Sequence, residues 1–160
     1  MYFRGRHTFN HRLTKGNKMS NEVAVIEQTP GSNLRPFTSV EGSDMETRFS
    51  LAAAVMGATP LADHKGVPFN LRHIVRQPVE VVNQQTKAKS ITYRTTLITD
   101  DGRAFSATSR GIDVAVDNIL ATLGNPKEWG DSSFPFIAEE RGSGTSKFLT
   151  LVPVVAKGKK

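Results

Sequence analysis

The chain contains no cysteine. This removes disulfide staples, thiolate metal sites and thiol nucleophiles, and it fits a reducing cytoplasm. Also missing is any apolar run near the roughly 18 residues a membrane helix needs, and no apolar signal segment follows the first residues. The expectation is a soluble, cytoplasmic protein without a membrane partner. Catalytic constellations are lacking too. His7, His11, His64 and His73 show no ligand spacing on a helix or hairpin. Gly142-Ser143-Gly144-Thr145-Ser146-Lys147 looks like a phosphate loop, but it fails the G-x-x-x-x-G-K-[ST] order and precedes a strand rather than a helix. No enzyme activity, cofactor or metal is expected.

Acid is absent from both ends. Arg4, Arg6, Arg12, Lys15 and Lys18 account for five units of a net charge of +6, and Lys157, Lys159 and Lys160 follow at the other end. Between them, residues 19 to 156 hold 13 basic and 15 acidic residues, so the body is not generically basic. Any electrostatic footprint must come from segregation of charge.

A chain of 160 residues suits one domain with flanking arms. Residues 1–43 read as an unstructured arm or linker. Its first 18 residues have no periodic pattern and stop before Met19-Ser20-Asn21-Glu22, which resembles an ordinary protein start. Two readings stay open, a basic tail that touches phosphates or an upstream extension. Ser43 and Glu46 match a capping box, and Met45, Phe49, Ala52, Ala53 and Met56 then recur at helical spacing up to Gly57. This predicts a three-turn helix packed by that face on the domain of residues 44–154.

The rest reads as strands Leu71–Val82, Ile91–Thr99 and Arg103–Thr108, a helix over Gly111–Leu123, and strands Phe134–Glu140 and Phe148–Val154. Pro78 marks an expected bend or bulge in the first strand. Asp101-Gly102 is expected to form a two-residue hairpin turn, which sets Phe105 opposite Ile98 and on the face of Arg94. In the helix, Asp113, Asp117 and Asn118 oppose an apolar stripe, and this acidic side is expected to face solvent away from any ligand. Trp129 is expected to cap the core. The order β-β-β-α-β-β predicts a mainly β fold, a five-stranded OB-like Greek-key barrel with an additional N-terminal helix and flexible termini. A basic tail of residues 155–160 closes the chain.

Such barrels bind oligonucleotides or oligosaccharides on one face, with help from the loops joining strands one to two and four to five. Those loops, Asn83 to Ser90 and Arg141 to Lys147, each hold two cations and no carboxylate. Single-strand binding needs cations along the backbone and aromatic faces for the bases. Arg72, Arg76, Arg94 and Arg103 are candidates to line the groove, with Lys87, Lys89, Arg141 and Lys147 at the loops. Tyr93, Phe105 and Phe148 are candidates to stack. Nothing in the sequence separates DNA from RNA as the partner, and a protein–protein adaptor or virion component is the reading from another class. Self-association also stays open.

The segment Thr99-Asp100-Asp101-Gly102-Arg103-Ala104-Phe105-Ser106-Ala107-Thr108-Ser109-Arg110, leading into an amphipathic helix, resembles the single-stranded-DNA-binding proteins of small tailed, protein-primed phages. The likeness extends to Phe148-Leu149-Thr150-Leu151 after a Gly/Ser-Lys hairpin. It implies an OB-like protein that coats displaced strands during phage DNA replication in the host cytoplasm, without sequence preference or cofactor. Phe105 and Arg110 are the residues it implies for binding. The chain lacks the acidic C-terminal tip by which cellular single-strand binders recruit replication proteins, so that partnership is not expected to run through a tail.

Overall fold

The computed structural model describes residues 34–155. In chain order these form β1 (Phe37–Thr38), α1 (Met45–Met56), β2 (Thr59–Pro60), a 3-10 turn over Leu61–His64, β3 (Pro68–Val82) and β4 (Lys89–Thr99). There follow β5 (Ala104–Ala107), α2 (Arg110–Leu123), a 3-10 turn over Pro126–Trp129, β6 (Phe134–Arg141), a 3-10 turn over Gly144–Ser146, and β7 (Phe148–Pro153). The strand–strand–strand–helix–strand–strand order is therefore present. None of the described helices is long and apolar enough to cross a membrane.

The strands make one curled mixed sheet, a half-barrel, in the order β2-β5-β4-β3-β6-β7, with β1 added to β3. Long β3 is its spine. It pairs with β4 from Leu71 to Val82, with β6 over Pro68–Leu71 and with β1 at Val75 and Arg76. Among the described residues β5 and β7 do not pair. The outer edge of β5 is instead taken by β2, in parallel, through Thr59 and Pro60. The irregularity in β3 lies between Leu71 and His73, not at Pro78, which sits in regular register with Tyr93. Pro78 is tolerated because β1 has ended by then, so its missing donor faces an unpaired side.

The β4–β5 turn differs from expectation by one residue, with large consequences. Ile98 pairs with Ala104, Leu97 pairs with Phe105, and Thr99 N–H donates to the Arg103 carbonyl at 2.9 Å. The loop thus holds Asp100, Asp101 and Gly102, with Gly102 left-handed at φ 82°, the three-residue hairpin form that needs glycine at its last position. Asp101 fixes it by accepting from Thr99 Oγ1 and from Arg103 Nε. An odd loop shifts the pairing by one and turns every β5 side chain to the other face. Phe105 consequently joins the core at 3 % exposure, stacked on His64 at 4.4 Å and near Phe69 at 5.3 Å.

The core lies on the concave side, where Leu71, Ile74, Leu97, Phe105, Phe136 and Leu151 meet Ile112, Ala115, Val116 and Ile119 of α2. Each of the large side chains among them contributes about 1.5–3 kcal/mol by leaving water. Trp129 closes one end as expected, buried, with its ring nitrogen donating to the Leu123 carbonyl at 2.9 Å and its ring edge-on to Phe134. Gly111 lets α2 reach β7, because a Cβ there would collide with the Leu149 carbonyl oxygen.

Helix α1 forms where expected but is capped by Asp44, not Ser43; Asp44 accepts from Thr47 N–H at 2.8 Å. Its orientation is a larger correction. No α1 residue is buried. Thr47, Leu51 and Ala54 face His73 and Ile98 on the sheet, while Met45, Phe49 and Met56 are 77 %, 74 % and 87 % exposed.

Candidate nucleic-acid interface

The outward register of the strands decides which candidates can meet a ligand. On β6 and β7, Phe136, Ala138 and Leu151 point to the core, so Arg141 and its cross-strand partner Phe148 point outward. Phe148 is 46 % exposed, and among the described aromatics only Phe49 is more so among the large exposed apolar residues. A Cβ on Gly111 would come within 2.7 Å of the Phe148 ring, so the first turn of α2, which begins at exposed Arg110, lies beside that ring. Lys147 is adjacent in the chain. The cations nearest this ring in the fold are thus Arg141, its cross-strand partner, Lys147, which precedes it in the chain, and Arg110, at the start of the neighbouring helix. Beside them a cleft of about 390 Å³ between α2 and the β6–β7 hairpin is lined by Val114, Asn118, Leu123, Arg141 and Thr150.

The remaining candidates do not gather there. Arg76 is 7 % exposed on the concave side. Its Nη1 donates to Asp117 at 2.6 Å, its Nη2 lies 3.6 Å from Asp113, and its guanidinium sits 4.0 Å over the Tyr93 ring. Asp113 is further held by Thr92 and Thr95 hydroxyls, each donating at 3.2 Å. Arg76 is therefore a structural cation; Asp113 is its largely buried partner, and Asp117 reaches it from a position that stays exposed to solvent. Tyr93 is committed as well, its hydroxyl donating to the Arg35 carbonyl and accepting from the Arg35 N–H, each at 3.1 Å. Phe105 is core and offers no face to a base in this packing.

Carboxylates from strands and loops reach most of the other cations. Arg72 pairs with Asp131 at 3.0 Å, Lys89 with Glu80 at 3.0 Å and Arg103 with Asp101 at 2.8 Å. Arg141 lies 3.6 Å from Glu139, and Lys147 lies 3.9 Å from Glu140, which Lys65 holds at 2.9 Å. The hydrogen bond and charge of Lys65, with the charge of Lys147, hold the Glu140 carboxyl below its ordinary range. Lys87, Arg94 and Arg110 make no ion pair among the described residues. The contacts of Arg141 and Lys147 are long and solvent-exposed, a class worth little and exchanged easily for phosphate.

The two acid-free loops fall at opposite ends of β3. The 83–88 turn follows Val82, whereas β6 passes Pro68 and carries Arg141 beyond the start of β3. The first turn is well formed: Asn83 Oδ1 accepts from the N–H groups of Gln85 and Thr86, and Lys87 takes φ 58°. Sequence reasoning missed Lys65 and Glu80, Glu139 and Glu140 as neighbours of the loop cations. For Glu80 and Glu139 a signal existed, since each stands within a few residues of its partner across or along a strand. For Lys65 none did. Among the described residues no His/Asp/Glu cluster suited to a metal ion occurs. No family model matches the chain, and no curated protein or solved structure is significantly similar to it.

Proposed function

We propose that this chain is a non-enzymatic single-stranded-DNA-binding protein that coats displaced strands during DNA replication, without sequence preference. The reading takes the pairing order β5-β4-β3-β6-β7, with α2 between β5 and β6, as an OB-like Greek-key barrel left open between its third and fifth strands. One observation carries it: exposed Phe148 at the last hairpin has Arg141 as its cross-strand partner, with Lys147 before it in the chain and Arg110 at the start of the adjacent helix, a ring for a base near cations for its phosphates. The likeness of residues 99–110 to phage single-strand binders supports the same reading through Arg110, though not through Phe105.

The test is binding of a dye-labelled oligo-dT followed by anisotropy, because buried Trp129 would report poorly on a distant ligand. Binding that weakens with salt and falls about tenfold or more in Phe148→Ala supports the reading. Salt-insensitive or absent binding rejects it. Oligo-U competing clearly better than oligo-dT would reassign the protein to RNA. The pairing of Arg72, Lys89 and Arg103 with carboxylates favours a second reading, a protein–protein adaptor, and absent oligo-dT binding would leave that one standing.

A further inference from the structure

The outward side of α1 is organised as a seam for another helix. Met45, Phe49, Ala52 and Met56 follow the i, i+4, i+7, i+11 spacing of alternating core positions in a two-stranded coiled coil. Ala53 adjoins the stripe and is exposed. The sheet makes no use of this side: the half-buried residues Thr47, Leu51 and Ala54 lie on the other one, where they line a cavity together with His73 and Ile98. At about 200 Å² for a large side chain, the three big residues present on the order of 450 Å² of apolar surface, a size at which patches on monomers are commonly functional.

We propose that this seam is a self-association surface and that its occupant is α1 of a second copy of the same chain, in an antiparallel pair about a two-fold axis midway between Phe49 and Ala52. The pattern is self-complementary in that arrangement: the Phe49 ring of each copy packs over the small Ala52 and Ala53 of the other, and Met45 of each meets Met56 of the other. Glu46 and Arg48 border the stripe as a polar rim. A standard stable interface buries about 800 Å² per partner, so a seam of half that size makes a weak, concentration-dependent pair. On the function proposed above, neighbours on one strand would meet at high local concentration, and the weak contact would become cooperative coating. The contact itself does not depend on that function.

Sedimentation velocity on the full chain without nucleic acid, over a wide concentration range, gives the first test. Mass should rise toward two copies, and Phe49→Glu should weaken association about tenfold or more with an unchanged thermal melt, because Phe49 supports nothing beneath it. The second uses the absence of cysteine: Ala52→Cys should form a disulfide-linked dimer under mild oxidation far faster than Thr86→Cys in the distant β3–β4 turn. A wild-type chain that stays at one copy throughout overturns the proposal. So does a Phe49→Glu chain that associates like wild type, or equal crosslinking at the two cysteine positions.

Discussion

The guanidinium of Arg76 on β3 and the carboxylate of Asp117 on α2 meet at 2.6 Å, and this contact, with Asp113 beside it, ties the helix to the concave side of the sheet. The same guanidinium covers the Tyr93 ring, so one side chain joins β3, β4 and α2. Removing it strands Asp113, which is largely buried, without its cation. Arg76→Met should therefore lower unfolding stability by about 3 kcal/mol, read as a lower urea midpoint at unchanged slope. Arg76→Lys should recover little, since an ammonium has no planar fork to divide between two carboxylates while stacking on Tyr93. The salt slope of oligo-dT binding by the folded protein should not change.

Gly111 gives a second stability prediction with a functional reading attached. A Cβ there would overlap the Leu149 carbonyl oxygen and approach within 2.7 Å of Phe148 Cδ2. The obstacle is backbone, so α2 and β7 must separate. Gly111→Ala should cost about 1–3 kcal/mol. It should also weaken oligo-dT binding by the folded fraction, because Phe148 loses its support.

The two loops should contribute unequally to salt dependence. Single-strand binding loses about 0.7 in log–log slope per phosphate contact removed. Arg141→Gln with Lys147→Gln should flatten the slope by about 1.4, two contacts' worth. Lys87→Gln with Lys89→Gln should flatten it less, since Lys89 already faces Glu80 and the turn lies at the far end of β3. Equal flattening would put both loops in contact with the strand.

His73 sets a pH dependence. Burial beneath α1, and next the charge of Arg72, push its imidazole below the ordinary histidine range, against a smaller opposing effect from the Ser39 backbone. The unfolded chain then binds more protons than the folded one between the two pKa values, so stability rises with pH across that window. Below it, the stability held by neutral His73 is lost. Lowering pH from 7 into the acid side of the histidine range should reduce the thermal midpoint, and His73→Gln should remove the part of that slope lying near the ordinary pKa of histidine.

Element order was legible because it is written locally. Periods of two and 3.6, glycine and proline punctuation and cap residues placed β3 to β7 and both helices within about three residues. The β4–β5 register was not legible. Asp101-Gly102 fits a two- or three-residue loop, and only the pairing of Leu97 with Phe105 against His64 and Phe69 selects the longer one. That single choice moved Phe105 from the proposed surface to the core. Among the cations, sequence could supply candidates but not fates. Arg76 and Asp117 are separated by 41 residues, and nothing near either announces the other.

By itself, then, the sequence determined that the chain builds a mainly β fold with two helices in the order found, that it has no thiol chemistry, and roughly where its turns fall, because these follow from residue type and short-range spacing. Tertiary structure alone decided that Arg76 and Tyr93 are structural, that Phe148 stays outside, and that the stripe of Met45, Phe49 and Met56 faces solvent. An apolar periodicity fixes which residues share a face. Which way that face turns is fixed by what else competes to cover the sheet, and here Thr47, Leu51 and Ala54 cover it instead.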